Sequence, residues 1–153
     1  MDKRILIFED DEDYIRMLGH VTEDLIEDEK IDLSISFESC PNYCTAKIRI
    51  AELVKSGNID DYNLILIDLK LPFAADHPEE GMDNEFLGFD LAKLLRQNFA
   101  DKIKYLPISS LVATVQSLDS TLHNFDRDDV TRTIDKTDMD NLASEIVKML
   151  IRK

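Results

Sequence analysis

The chain is short of positive charge, of cysteine and of long apolar runs. Its 18 Lys and Arg residues face 32 Asp and Glu, giving a formal net charge of −14. A nucleic-acid footprint needs a clustered basic face, so this balance speaks against nucleic acid as a partner. No apolar run approaches the roughly 20 residues that a membrane span requires. The N-terminus also lacks the apolar core of a secretory leader, and the expectation is a cytoplasmic protein away from membranes. Cys40 and Cys44 are the only cysteines. A C-x₃-C pair with no second pair is a poor zinc signal, and two reduced thiols are expected. Neither an internal repeat nor an interdomain linker is visible. At 153 residues the chain is read as one domain, 1–153, able to bury a sizeable core.

What the chain does have is two short apolar runs that end in acids. Leu64 to Pro72 reads LILIDLKLP. A continuous apolar run of this length is expected of a strand buried on both faces of a parallel sheet, and Pro72 closes the segment because proline cannot donate to the ladder. Asp68 then lies at the carboxyl edge, where open α/β sheets bind ligands. Ile5 to Phe8 is a second such run and leads into Glu9-Asp10-Asp11. Two strands delivering acids to one edge can build a site for a hard cation such as Mg²⁺, which takes oxygen ligands and keeps some of its waters. The same three acids also suit the first turn of a helix.

Strand and helix patterns alternate along the chain. Arg4–Phe8, Ile31–Phe37, Leu64–Asp68, Tyr105–Ser109 and Val130–Ile134 read as strands. In the second of these, Ile31, Leu33, Ile35 and Phe37 face one way. Asp13–Asp28, Thr45–Lys55, Phe89–Asn98, Val112–Phe125 and Met139–Ile151 read as helices. Ile15, Leu18, Thr22, Leu25 and Ile26 recur at helical spacing in the first, and Leu142, Ile146, Met149 and Leu150 form one stripe in the last. Gly57 is placed to end the second helix. Thr137 is placed to cap the last, with Asp140 as a partial capping box. The alternation predicts an α/β fold, a five-stranded parallel sheet in the order 2-1-3-4-5 with helices on both faces, of the flavodoxin-like kind. Phe73–Leu87 is long, acidic and aperiodic, an insertion of the sort that is functional or mobile. His20 and His77 read as solvent-facing and His123 as structural; none has a partner at metal-ligand spacing.

Together these segments resemble the receiver domain of two-component response regulators, over essentially the whole chain. ILIFEDDED (Ile5–Asp13) is similar to the family's first strand and acidic pair, and LILIDLKLP to its third strand with the phospho-accepting aspartate. GFDLAKLLR (Gly88–Arg96) resembles the start of its third helix, and Lys136 sits where the family keeps an invariant lysine. The resemblance implies that Asp68 takes a phosphoryl group and that Glu9, Asp10, Asp68 and the Lys70 backbone carbonyl hold Mg²⁺. It implies that Lys136 pairs with a phosphoryl oxygen and that Ser109 is the hydroxyl residue ending the fourth strand. A rival register anchored on Pro107 puts Val112 there and leaves no donor, whereas the count from Gly88 favours Ser109 or Ser110.

The implied function is a phospho-accepting signalling module, not an enzyme. A histidine kinase or phosphotransfer protein would phosphorylate it, and it would act on an unknown downstream protein by contact, either standing alone or as part of a longer protein. A Mg²⁺-dependent hydrolase would use similar groups, but no second nucleophile or general acid is in view. The alternative is an interaction module that uses the receiver fold without phosphorylation. Thr133 and the 73–87 insertion favour it, and the intact acids and Lys136 oppose it. Thr133 replaces the aromatic residue that the family places three before the lysine, and Thr137 replaces the proline after it, whose bond is typically cis. For a non-proline residue that geometry costs about 2.5–4 kcal/mol, so a trans bond is expected. With no aromatic at 133, the response to phosphorylation is expected in the 73–87 insertion and the loop after Ser109.

Overall fold

The computed structural model describes residues 1–75, 87–99, 102, 105–109 and 134–151. In chain order the described elements are β1 (Asp2–Phe8), α1 (Glu12–Asp28), β2 (Ser34–Cys40), α2 (Tyr43–Ser56), a 3₁₀ turn (Asn58–Asp61), β3 (Leu64–Asp68), α3 (Leu87–Phe99), β4 (Tyr105–Ser109), β5 (Ile134–Asp135) and α4 (Met139–Ile151). The expected helix at Val112–Phe125, most of the 73–87 insertion, Ser110, Val112, Thr133, His77 and His123 lie outside the described residues.

The sheet is parallel. β1 lies between β2 and β3; β4 continues the sheet beyond β3, and the two-residue β5 lies beside β4. Side chains alternate across β1 and β3, and this divides the core between the two faces. Leu6, Phe8, Ile65 and Ile67 pack with Ile50 and Leu53 of α2 and Leu91 and Leu95 of α3. Ile5, Ile7, Leu64 and Leu66 pack with Leu18 of α1 and Leu142 and Ile146 of α4. All eight strand residues are fully buried, and burying each such side chain is worth roughly 1.5–3 kcal/mol. Burial on both faces is the reason these strands read as unbroken apolar runs.

Several boundaries differ from the sequence expectation. β2 starts at Ser34, not at residue 31, because residues 29–31 finish α1. The Glu29, Lys30 and Ile31 N–H groups donate to the carbonyls of Leu25, Glu27 and Ile26, with Lys30 in the left-handed region at φ 54°. The facing is kept: Leu33 is buried in the α1/α4 side of the core, and Ile31, Ile35 and Phe37 pack against it. α2 begins at Tyr43, two residues before Thr45, because Asn42 and Thr45 form a reciprocal capping box. Gly57 ends α2 as expected, at φ 72°.

α4 runs over the expected residues, but its cap is Asp138, which accepts from the Asn141 N–H at 3.2 Å. Thr137 instead turns back to Asp135, so the Thr137–Asp140 box does not form. β5 extends to Asp135, one residue beyond the expected end; residues 130–133 lie outside the described set. The bond between Lys136 and Thr137 is trans. His20 is exposed on α1, and Cys40 and Cys44 are free thiols. Among the described residues, no helix is long and apolar enough to cross a membrane.

Candidate functional site

Strand register brings the acids together. Phe8 pairs with Ile67, so one residue further along each strand Glu9 stands beside Asp68. Asp68 is the last residue of β3 and pairs with Ile108 of β4. β5 pairs with β4 through Ile108–Ile134 and Ser109–Asp135, which sets Lys136 at the same edge. Ser109 is thereby the last residue of β4, one position beyond the partner of Asp68.

Carboxylate oxygens of Glu9, Asp10 and Asp68 lie within 4.8 Å of one another, with Glu9 and Asp68 buried and Asp10 exposed. Lys136 Nζ donates to Glu9 Oε2 at 2.6 Å and to Asp68 Oδ2 at 3.1 Å. The other oxygen of each buried acid takes a backbone N–H: Glu9 Oε1 accepts from Asp11 at 3.1 Å and Asp68 Oδ1 from Lys70 at 3.0 Å. Two buried carboxylates without such partners would each be costly. Asp11 is not part of the cluster. It caps α1, its Oδ1 accepting from the Tyr14 N–H at 3.1 Å, so the Glu9-Asp10-Asp11 run divides between a site and a helix cap.

The electrostatics follow from this crowding. Burial, and next the Asp68 carboxylate, push the Glu9 carboxyl up to about 7, against the pull of Lys136. Burial alone would lower Lys136, but Asp68 and Glu9 outweigh it and hold its ammonium above the ordinary value. Three oxygen-bearing acids at one point are a donor set that suits a hard divalent cation and keeps room for water on the Asp10 side. For Lys70, the observed contact is its N–H to Asp68.

Three further residues shape the site; the motifs did not reveal Tyr14 or Asp135, and they showed Gly88 only as the head of a helix. Tyr14 of α1 donates its hydroxyl to the Lys136 carbonyl at 2.7 Å, and Lys136 Nζ lies 4.7 Å from the Tyr14 ring centroid. Asp135 Oδ1 accepts from both the N–H and the hydroxyl of Thr137, at 2.9 and 2.7 Å. Gly88 donates its N–H to the Leu69 carbonyl at 3.2 Å. A Cβ on Gly88 would lie 2.3 Å from the Asp68 carbonyl oxygen and 2.6 Å from Leu69 Cα. Only Gly88 left a trace in the sequence, since glycine at the head of an amphipathic helix costs stability unless packing requires it.

The segment after β3 is also tied down where it is described. The Tyr43 and Cys44 N–H groups, at the start of α2, donate to the carbonyls of Pro72 and Phe73 at 2.8 and 3.0 Å. The Tyr43 and Phe73 rings stack at 5.8 Å.

No family model matches the chain, and no curated protein sequence does. Among solved structures it is similar to a CheY-like response regulator receiver domain from Methylobacillus flagellatus, at 15% identity with a TM-score of 0.55, over 99% of this chain and 100% of that one. It is similar as well to the bacteriophytochrome response regulator AtBRR, at 15% identity with a TM-score of 0.53, over 100% of this chain and 97% of that one. At this identity the likeness concerns the fold, which by itself does not carry a function. The chain has the α/β fold of a response regulator receiver domain, with its parallel sheet and covering helices.

Proposed function

We propose that residues 1–153 form a single five-stranded receiver domain, with an insertion at 73–87, that accepts a phosphoryl group on Asp68 and signals by protein–protein contact. The observation that carries this reading is the bridge from Lys136 Nζ to both Glu9 and Asp68, 2.6 and 3.1 Å away. It joins a buried acceptor, an acid partner and a cation at the carboxyl edge of the sheet.

Glu9, Asp10, Asp68 and the Lys70 carbonyl would hold Mg²⁺, which when bound neutralises charge developing on the phosphoryl oxygens. In the transfer an Asp68 oxygen forms the new bond to phosphorus. The bond from phosphorus to the donor nitrogen or oxygen breaks, and its electron pair leaves with the donor. Lys136 then turns its ammonium from the carboxylates to a phosphoryl oxygen, as a compact point charge. Ser109, at the end of β4, would offer its hydroxyl to the same group. The donor in the cell would be a histidine kinase or a phosphotransfer protein.

Intact-mass measurement after incubation with Mg²⁺ and a small phosphodonor tests the reading. The wild type should gain one phosphoryl group and Asp68→Asn none. A wild type with no gain would leave the alternative, a phosphorylation-independent interaction module, which Thr133 and the 73–87 insertion favour.

A further inference from the structure

Lysine is a poorly preorganised residue for holding a phosphoryl oxygen. Its four-carbon stem carries many rotamers, and placing the ammonium at one point costs entropy. Here the lysine also sits on a short turn, between the two residues of β5 and the start of α4. Thr137 follows it, so no proline ring stiffens the turn.

The structure supplies two restraints instead. Asp135 closes the turn from within: its carboxylate accepts twice from Thr137, and its carbonyl accepts from the Asp138 N–H at 3.2 Å. Tyr14 holds the turn from outside, 122 positions away in sequence. Its hydroxyl takes the Lys136 carbonyl, and its ring lies against the Lys136 ammonium. One aromatic side chain thus holds both ends of one lysine. With the ring on one side and Glu9 and Asp68 accepting on others, the ammonium is confined at the acceptor. Burial and the nearby carboxylates of Glu9, Asp68 and Asp135 push the Tyr14 phenol up, so it keeps its proton and remains a donor.

We propose that Tyr14 is a positioning residue for Lys136, fixing the turn through its hydroxyl and the ammonium through its ring. The proposal rests on the reading of Asp68 as phospho-acceptor. Such an ammonium–ring contact strengthens when it is partly desolvated, and the half-buried pair meets that condition. Tyr14→Phe removes the hydroxyl contact and keeps the ring; Tyr14→Leu removes both.

Two measurements on the full chain test it. The first is the proton shift of the Lys136 ε-methylene, assigned by its loss in Lys136→Arg and recorded without a phosphodonor. Ring current should move it upfield in the wild type and in Tyr14→Phe, and it should return to the free-lysine value in Tyr14→Leu. The second is the rate of phosphoryl uptake from a small phosphodonor at saturating Mg²⁺. It should fall about three-fold in Tyr14→Phe and about ten-fold in Tyr14→Leu, with Mg²⁺ affinity by calorimetry unchanged. A lysine shift indifferent to Tyr14→Leu, or uptake as fast in both variants as in the wild type, would overturn the proposal. A Tyr14-dependent lysine shift in a wild type that takes up no phosphoryl group would uphold the positioning and overturn the acceptor reading.

Discussion

Lys136 and Glu9 stand 127 positions apart in sequence and meet at 2.6 Å, Nζ to Oε2. Glu9 is almost wholly buried, and the same ammonium serves Asp68. One cation therefore stabilises two acids that have little access to water. This makes Lys136 structural before any phosphoryl group arrives.

Removing it should expose that role. Lys136→Met leaves two buried carboxylates facing each other and should cost on the order of 3–5 kcal/mol near neutral pH. A urea titration would show a lower midpoint at an unchanged slope. The loss should shrink toward pH 5, where the raised Glu9 carboxyl is protonated and no longer faces Asp68 as a second charge. Equal losses at both pH values would mean that the bridge contributes packing and no charge.

The raised Glu9 carboxyl makes a pH prediction with a definite sign. Its pKa lies near 7 in the folded chain against an ordinary 4.5, so the folded state binds this proton more tightly than the unfolded one. The resulting stabilisation is fully present below about 4.5 and is lost as pH rises through about 7. In metal-free buffer, thermal unfolding of the wild type should therefore lose stability between pH 5 and 7.5 relative to Glu9→Gln, which cannot ionise. A difference on the order of 1–3 kcal/mol is expected. Parallel curves for the two proteins would place the raised carboxyl elsewhere.

Gly88 and Gly19 are both helical glycines, yet they should respond oppositely to alanine. At Gly88 the new methyl meets backbone at 2.3 and 2.6 Å, which cannot yield without moving α3 off the end of β3. Overpacking of this kind costs about 1–3 kcal/mol, and Gly88→Ala should lower the melting temperature. At Gly19 the nearest atom is a Phe37 ring carbon at 3.8 Å, an ordinary contact. Gly19→Ala should gain about 0.5–1 kcal/mol from helix propensity. Differential scanning calorimetry on the two variants reads both signs; a stabilised Gly88→Ala would contradict the packing described.

Asp10 is the exposed member of the acid cluster, and its substitution separates metal binding from folding. Asp10→Asn should leave the urea midpoint within about 0.5 kcal/mol of the wild type, as exposed changes do. Its Mg²⁺ affinity should fall about ten-fold or more, and phosphoryl uptake should fall with it. Retained affinity would show that the cation binds elsewhere.

Much of this molecule is written in local patterns. β3 and the last four residues of β1 were legible because strand segments buried on both faces are apolar, and the acids that end them stand out against that background. Leu18, Thr22 and Ile26 announced α1, and Gly57 announced the end of α2, because helical periodicity and a left-handed cap are properties of a few adjacent residues. Boundaries were harder wherever two elements compete for one segment. Residues 31–33 alternate like a strand, but the Ile31 N–H is spent closing α1, and Thr137 has the chemistry of a cap but is drawn to Asp135. Glu9, Asp10 and Asp68 stand out in the sequence because they end apolar runs, whereas Lys136 is pointed to only by the family resemblance. That Lys136 bridges Glu9 and Asp68, that Tyr14 holds it, and that Gly88 touches the Asp68 backbone were decided only in three dimensions. Those contacts depend on parallel register and on the docking of α1 and α3, which set distances between residues that local chain chemistry leaves independent.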